Sequence, residues 1–189
     1  MKSILISIRP KWVEKIAKCE KTIEVRKTRP KIETPFLCYI YCTKNRDNEI
    51  YKRYKVDDIK SGKVIGEFIC DKVYNLVNAF GGIMFADENL NQLEPQLFRD
   101  MSCLTDEQTA DYLGDKDGYG WHISDLKIYD KPKKLSDFIS PSKVKKCVDY
   151  CINGICSNLG YEELCGAIRR CEYKKLTRPP QSWQYINEL

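Results

Sequence analysis

The chain is short of histidine above all: among its 189 residues there is one, His122. That scarcity excludes most zinc hydrolases and histidine-based catalytic triads, which need more imidazole than this sequence holds. The glycine-rich phosphate motifs G-x-G-x-x-G and G-x-x-x-x-G-K-S/T are missing, as is the H-x-E…P-C-x-x-C pattern of zinc deaminases. No apolar run approaches the roughly 18 residues that span a bilayer. Met1-Lys2-Ser3 leads only into the short stretch Ile4–Ile8, which lacks the shape of a signal peptide. Secretion and membrane insertion are therefore not expected, and a cytoplasmic location is. Ten cysteines in that setting read as reduced thiols rather than a disulfide framework.

What is present is enough for a packed core, with 42% hydrophobic residues against 31% charged. The net charge of +5 is modest. Its distribution is uneven: residues 1–63 hold 17 basic and 8 acidic side chains, residues 64–130 hold 4 and 13, and residues 131–189 hold 11 and 6. If the two basic ends meet, they make a basic face, with the acidic middle segment turned away from it.

Residues 1–43 have the pattern strand, helix, strand, strand. Ile4, Ile6 and Ile8 mark the first strand, and Pro10 suits the first turn of a helix with an apolar stripe of Trp12, Val13, Ile16 and Ala17. Thr22–Arg26 and Phe36–Thr43 are strands, and residues 44–63 form a charged, hairpin-like connection. Val64–Val73 is apolar at nearly every position, predicting a strand buried on both faces. Residues 78–100 have the look of an irregular excursion. Thr105 starts a helix with capping-box spacing to Gln108, ending at Leu113 before Gly114. Tyr119–Tyr129 is a long strand whose apolar phase slips near Ser124 and Asp125, predicting a bulge. Ser140-Pro141 is expected to cap a helix through Ile152.

The densest polar cluster is Lys21-Thr22-Ile23-Glu24-Val25-Arg26-Lys27. On a strand, Thr22, Glu24 and Arg26 share one face, where carboxylate and guanidinium can hold a ligand's donor and acceptor edges or pair with each other. Glu67 shares a face with Ile65 and Ile69, so it should pair with a cation or carry a raised pKa, a structural ion pair being the commoner outcome. Cys147, Cys151, Cys156, Cys165 and Cys171 have no C-x-x-C pair. Cys147 and Cys151 fall on the apolar stripe of the 141–152 helix, so they read as small core residues rather than zinc ligands. His122, between Trp121 and Ile123, reads as a packed or stacking side chain.

Ser7-Ile8-Arg9-Pro10, the helix after it, the 21–27 cluster and Pro30 together resemble the signature of the ASCH family, G-x-K-x-x-E-x-R. The resemblance continues through Tyr39–Lys44, Gly62–Phe68 and Gly120–Ile123, and Arg178-Pro179-Pro180-Gln181-Ser182-Trp183 is similar to the tails of prophage-type members. It implies a mixed α/β fold, a PUA-like β-barrel with flanking helices, over residues 1–138. Residues 139–189 would then be a Cys-rich helical extension packed on the barrel. The family's glycine position is Cys19 here. A left-handed cysteine costs about 1–2 kcal/mol, which predicts a different turn.

The implied function is recognition of RNA or a modified nucleobase or nucleotide in a cleft lined by Ser7, Arg9, Lys21, Thr22, Glu24 and Arg26, with Glu67 as a further candidate. Arg9 and Lys21 would meet phosphate or a carbonyl, and Glu24 an exocyclic amine. The aromatic residues (12 Tyr, 3 Trp, 6 Phe) suit base stacking. The alternative from the same resemblance is an amidohydrolase of N4-acylated cytidine, or a ribonuclease. For the amidohydrolase, Lys21 matches the family lysine, Glu24 stands where the family has threonine, and Glu107 is the candidate glutamate. A third reading, from a different class, is a protein-interaction module that keeps the fold without the ligand. No cofactor or metal is expected.

Overall fold

A computed structural model describes residues 3–44, 61–79, 82–141 and 173–188. Their order is β1 (Ser3–Ile8), α1 (Pro10–Ala17), β2 (Ile23–Arg26), β3 (Phe36–Cys42), β4 (Val64–Cys70), β5 (Val73–Ala79) and β6 (Gly82–Ala86). Then follow α2 (Pro95–Ser102), α3 (Asp106–Leu113), β7 (Gly118–His122), β8 (Ser124–Lys133), a 3₁₀ turn (Leu135–Asp137), β9 (Phe138–Pro141), β10 (Tyr173–Lys175) and β11 (Trp183–Glu188). The fold is thus mixed α/β. No described helix is long and apolar enough to cross a membrane.

The strands form a seven-stranded sheet, β10-β9-β11-β1-β3-β4-β8, and a four-stranded sheet, β2-β7-β5-β6. Hydrogen-bonded closure into one barrel is not seen among the described residues. The sheets meet where two chain segments pass from one to the other. The expected single strand 64–73 breaks at Asp71-Lys72, and the expected strand 119–129 changes sheet at Ile123, the two crossings being tied by His122 N–H to Lys72 O at 2.9 Å. The bulge lies where the apolar phase slips: Glu67 pairs with Lys127 but Ile69 with Ser124, and Asp125 has φ 47°.

β1 is buried at every position because it is central. Ile4, Ile6 and Ile8 join Val13, Ile16, Cys38, Ile40 and Trp121 in one core. Leu5 faces the opposite side with Tyr39, Tyr41, Phe138 and Ile186. A third cluster, Ile23, Val25, Leu76, Phe85, Phe98 and Leu113, fills the space between the small sheet and helices α2 and α3. Of the expected α1 stripe, Val13 and Ile16 are buried and Trp12 half-buried, while Ala17 is exposed.

Several elements differ from the sequence expectation. Residues 78–100 contain the end of β5, all of β6 and the start of α2, not an irregular excursion: Ala79 pairs with Gly82, and Pro95 occupies the first turn of α2. Ser140-Pro141 ends strand β9, which pairs with β10 and β11, rather than opening a helix. The boundary expected after residue 138 therefore falls inside a strand, and β11 lies beside β1 with Ser3 opposite Ile186 and Ile6 opposite Trp183. Residues 142–172, which carry the rest of the expected helix and Cys147, Cys151, Cys156, Cys165 and Cys171, lie outside the described residues, as do residues 45–60. Cys19 keeps the left-handed conformation, φ 58°, so the turn is retained despite the missing glycine. Its amide bonds the Ile16 carbonyl at 2.8 Å, and the Glu20 amide bonds that of Lys15 at 2.9 Å, which offsets part of the cost.

Candidate functional site

A cleft of about 540 Å³ opens where the C-terminal end of β1, the start of α1, strand β2 and helix α3 come together. Strand alternation sends Ile23 and Val25 into the helix-covered core and leaves Glu24 and Arg26 on the other face of β2. Both line the cleft although only 6% and 7% exposed. Arg26 Nη2 lies 3.0 Å from Glu24 Oε1 and donates to the Ser7 carbonyl at 2.6 Å, so it ties β2 to β1.

Lys21 is the most enclosed of the three, at 2% exposure. Its Nζ donates to the Ser102 carbonyl at 2.6 Å, lies 3.5 Å from Glu24 Oε2 and sits 5.2 Å from the centre of the Trp12 ring. Ser102 ends α2, so the ammonium meets a carbonyl at the negative end of that helix and fixes the α2–α3 junction against β2. Burial pushes the Lys21 pKa below its ordinary value, against the opposing pull of the Glu24 charge. Two buried atoms in this set have no hydrogen-bond partner: Glu24 Oε2 and Arg26 Nε. For Glu24 Oε2 the Lys21 ammonium, at 3.5 Å, stands at the outer edge of hydrogen-bonding range.

The remaining walls combine expected and unexpected residues. Ser7 lines the cleft, its hydroxyl donating to the Pro180 carbonyl at 2.7 Å, and exposed Arg9 lines the rim beside Lys11 and Trp12. Lys11 Nζ stands 4.3 Å from the Trp12 ring centre. Thr22 is not on the cleft wall; its backbone bonds Met101 and Ile123, both at 2.8 Å. Glu67 is also elsewhere, on the large sheet, where it accepts from the Tyr129 hydroxyl and lies 3.9 Å from Lys127 Nζ. Its expected partner cation is thus a loose one. Glu107 faces a separate hollow with Phe85, Phe98 and Arg99. The phase of α3 follows from Thr109 and Leu113, which are buried, and this turns Gln108, Asp111 and Tyr112 to the cleft instead. The acidic middle segment therefore does not face wholly away from the basic cleft, because Asp111 is on its wall. Gln181 and Ser182, preceding β11, complete that wall; the Arg178–Trp183 run carries a family resemblance in the sequence but no signal of a place in the cleft.

His122 is a packed side chain at the sheet corner, with Nδ1 2.6 Å from Asp71 Oδ1 and its ring edge-on to Tyr74 at 6.4 Å. Burial works to raise the Asp71 pKa, but the His122 hydrogen bond and charge outweigh it and hold the carboxyl below its ordinary value. Among the described residues no group of three His, Cys, Asp or Glu side chains is placed to hold a metal ion.

No protein-family model matches the chain, and no curated protein does. Among solved structures, the crystal structure of ASCH from Zymomonas mobilis is 16% identical, with 98% of this chain and 87% of that chain covered at a TM-score of 0.52. A single-substitution variant of the same Zymomonas mobilis protein gives 15% identity, 98% and 88% coverage and a TM-score of 0.52. The structural neighbours of this chain are thus ASCH proteins, and what it shares with them is the fold.

Proposed function

We propose that this chain binds RNA or a modified nucleobase or nucleotide in the cleft between β1, α1, β2 and α3. The observation that carries the reading is Arg26 Nε, a buried donor without a partner, beside Glu24, whose Oε2 has only the Lys21 ammonium at 3.5 Å, in a rigid charge set on the cleft wall. A buried polar atom left without a partner costs about 1–3 kcal/mol, so a ligand edge offering an acceptor would relieve Arg26 Nε, and a donor on the same edge would give Glu24 Oε2 a shorter partner than Lys21. A base with an exocyclic amine fits Glu24. Half-buried Trp12 and exposed Tyr112 offer ring faces nearby, and Arg9 and Lys11 offer cations for phosphate.

In this reading the two sheets are the halves of a PUA-like barrel joined at the Asp71–His122 corner, and the unit of residues 1–138 is completed by β11. The amidohydrolase alternative is not favoured. Its lysine would have to face the candidate glutamate, Glu107, across the pocket, whereas Lys21 donates to Ser102 and pairs with Glu24, and Glu107 lies on another hollow.

Calorimetric titration with cytidine, adenosine and uridine tests the proposal, using wild type and Glu24→Gln. The amine-bearing nucleosides should bind more tightly than uridine, and Glu24→Gln should weaken them by about 10-fold or more, the worth of one charge-assisted hydrogen bond. Equal binding of all three, indifferent to Glu24→Gln, would contradict it.

A further inference from the structure

The hollow that Glu107 faces, of about 590 Å³, opens between strand β6 and helices α2 and α3. Its floor is apolar: the Phe85 and Phe98 rings lie 5.2 Å apart, with Ile83, Pro95 and Ala110 around them. The one cation on its walls is tied up within the protein. Arg99 donates to both carboxylate oxygens of Asp106, at 2.9 and 3.2 Å, and to the side-chain oxygen of Gln96. Glu107, by contrast, forms no ion pair among the described residues.

The surroundings are strongly acidic. Residues 82–118 hold nine acidic and two basic side chains, and every one of the nine except Asp87 is exposed. Such a face repels a polyanion and attracts a cationic partner. Beside it the small sheet ends at β6. The Phe85 carbonyl accepts from the Leu93 amide at 2.8 Å, and Ala86 bridges to Gln92, so the outer edge of β6 is covered at that end. Ile83, two residues earlier, turns its amide and carbonyl to the same outer side, where no described strand lies opposite.

We propose that this face docks an extended segment of a partner protein, one that carries a large apolar side chain flanked by arginine or lysine. The segment adds to the edge of β6 at Ile83, its apolar side chain enters the hollow over Phe85 and Phe98, and its cations meet Glu107 and the acidic rim. In an extended chain the residues two before and two after the anchor share its face, so anchor and cations reach the surface together. The sign of the surface charge decides the class of partner, because an acidic segment with the same anchor would be repelled. A small apolar molecule would use the floor but neither the strand edge nor the carboxylates. The proposal is independent of the nucleobase reading, which makes no use of this face.

The test titrates the full chain into three labelled peptides, read by fluorescence anisotropy: Arg-Thr-Phe-Thr-Arg, Arg-Thr-Ser-Thr-Arg and Glu-Thr-Phe-Thr-Glu. The first should bind at least about 10-fold more tightly than the second, the worth of burying the phenylalanine ring, and the third should bind no better than the second. Two variants at exposed positions place the contact. Ala110→Trp fills the hollow and should abolish the preference for phenylalanine, and Glu107→Lys should weaken the first peptide by about 3-fold or more. An unchanged circular dichroism melt shows that each variant is folded. Equal binding of the three peptides, no binding of the first, or a preference that survives Ala110→Trp would overturn the proposal. Self-association of the chain in sedimentation, lost in Ala110→Trp and with no peptide bound, would assign the face to a second copy and overturn it as well.

Discussion

Replacing Lys21 with methionine keeps the length of the side chain and removes its charge and its donors. The Ser102 carbonyl then loses its 2.6 Å hydrogen bond, and Glu24 keeps only Arg26 as a counter-charge. Breaking a buried charge pair by removing one partner typically costs about 3–5 kcal/mol. Sparing the ammonium its desolvation more than offsets the charge-pair part of this, since burial outweighs the Glu24 attraction at Lys21, and the orphaned Ser102 carbonyl remains. A net loss of about 1–3 kcal/mol follows, which lowers Tm by about 2–12 °C in a chain of this size. Lys21→Arg, conservative in charge, should also destabilise, because a side chain 2% exposed leaves no room for the larger guanidinium. The pH dependence separates this account from simple loss of packing. Because the folded pKa lies below the ordinary 10.5, the unfolded chain binds the extra proton between the two values. Wild type therefore gains stability relative to Lys21→Met as pH rises through that window. Chemical denaturation at pH 7 and in steps toward pH 10 measures it, the difference between the proteins cancelling the cysteines and tyrosines that titrate there. A variant as stable as wild type, or a difference that stays constant with pH, would refute the reasoning.

Three further outcomes are expected. Thr105→Ala removes the side-chain half of the α3 capping box, the hydroxyl that accepts from the Gln108 amide, and should cost about 1 kcal/mol, read as a Tm lower by about 2–4 °C. Gly66→Ala would put a methyl group 2.5 Å from the Lys127 carbonyl oxygen, so it should force β4 and β8 apart at a cost of about 1–3 kcal/mol or more, measurable by urea denaturation. Asp71 has its folded pKa lowered below 3.8, so it contributes stability above that value which is lost as pH falls through the lowered one. Asp71→Asn should accordingly flatten the acid limb of the stability profile, and an unchanged limb would mean that the His122 contact contributes nothing there.

The local patterns carried much of this architecture. The alternating isoleucines of Ser3–Ile8, the Tyr- and Cys-rich run Phe36–Cys42, proline at the start of α1, the Thr105–Gln108 box and the phase slip at Ser124–Asp125 are all short-range signals, and each corresponds to an observed feature. The β6 hairpin was also readable, since Gly81-Gly82 between apolar runs is a turn signal, but the acidic residues after it obscured the pattern. What could not be read was long-range pairing. Trp183–Glu188 alternates well enough for a strand, yet nothing local says that it lies against β1, some 180 residues away. The site divides the same way. Lys21, Glu24 and Arg26 sit close in sequence and converge, whereas Asp111, Tyr112 and Ser182 enter the cleft from other elements. Choosing Asp111 over Glu107 required the rotation of α3, which only the buried Thr109–Leu113 pair reveals.

If Arg26 and Glu24 form the base-reading edge of a nucleobase cleft, the Arg26 Nε–H group reports on it directly. It is a buried donor without a partner in the free protein, so its ¹H–¹⁵N resonance, assigned by its loss in Arg26→Lys, is a sensitive probe. Titration with cytidine should shift that one arginine signal saturably, with the same Kd as calorimetry gives, and Glu24→Gln should weaken both together. A nucleoside or RNA that binds tightly while the Arg26 Nε–H signal stays in place would contradict the account.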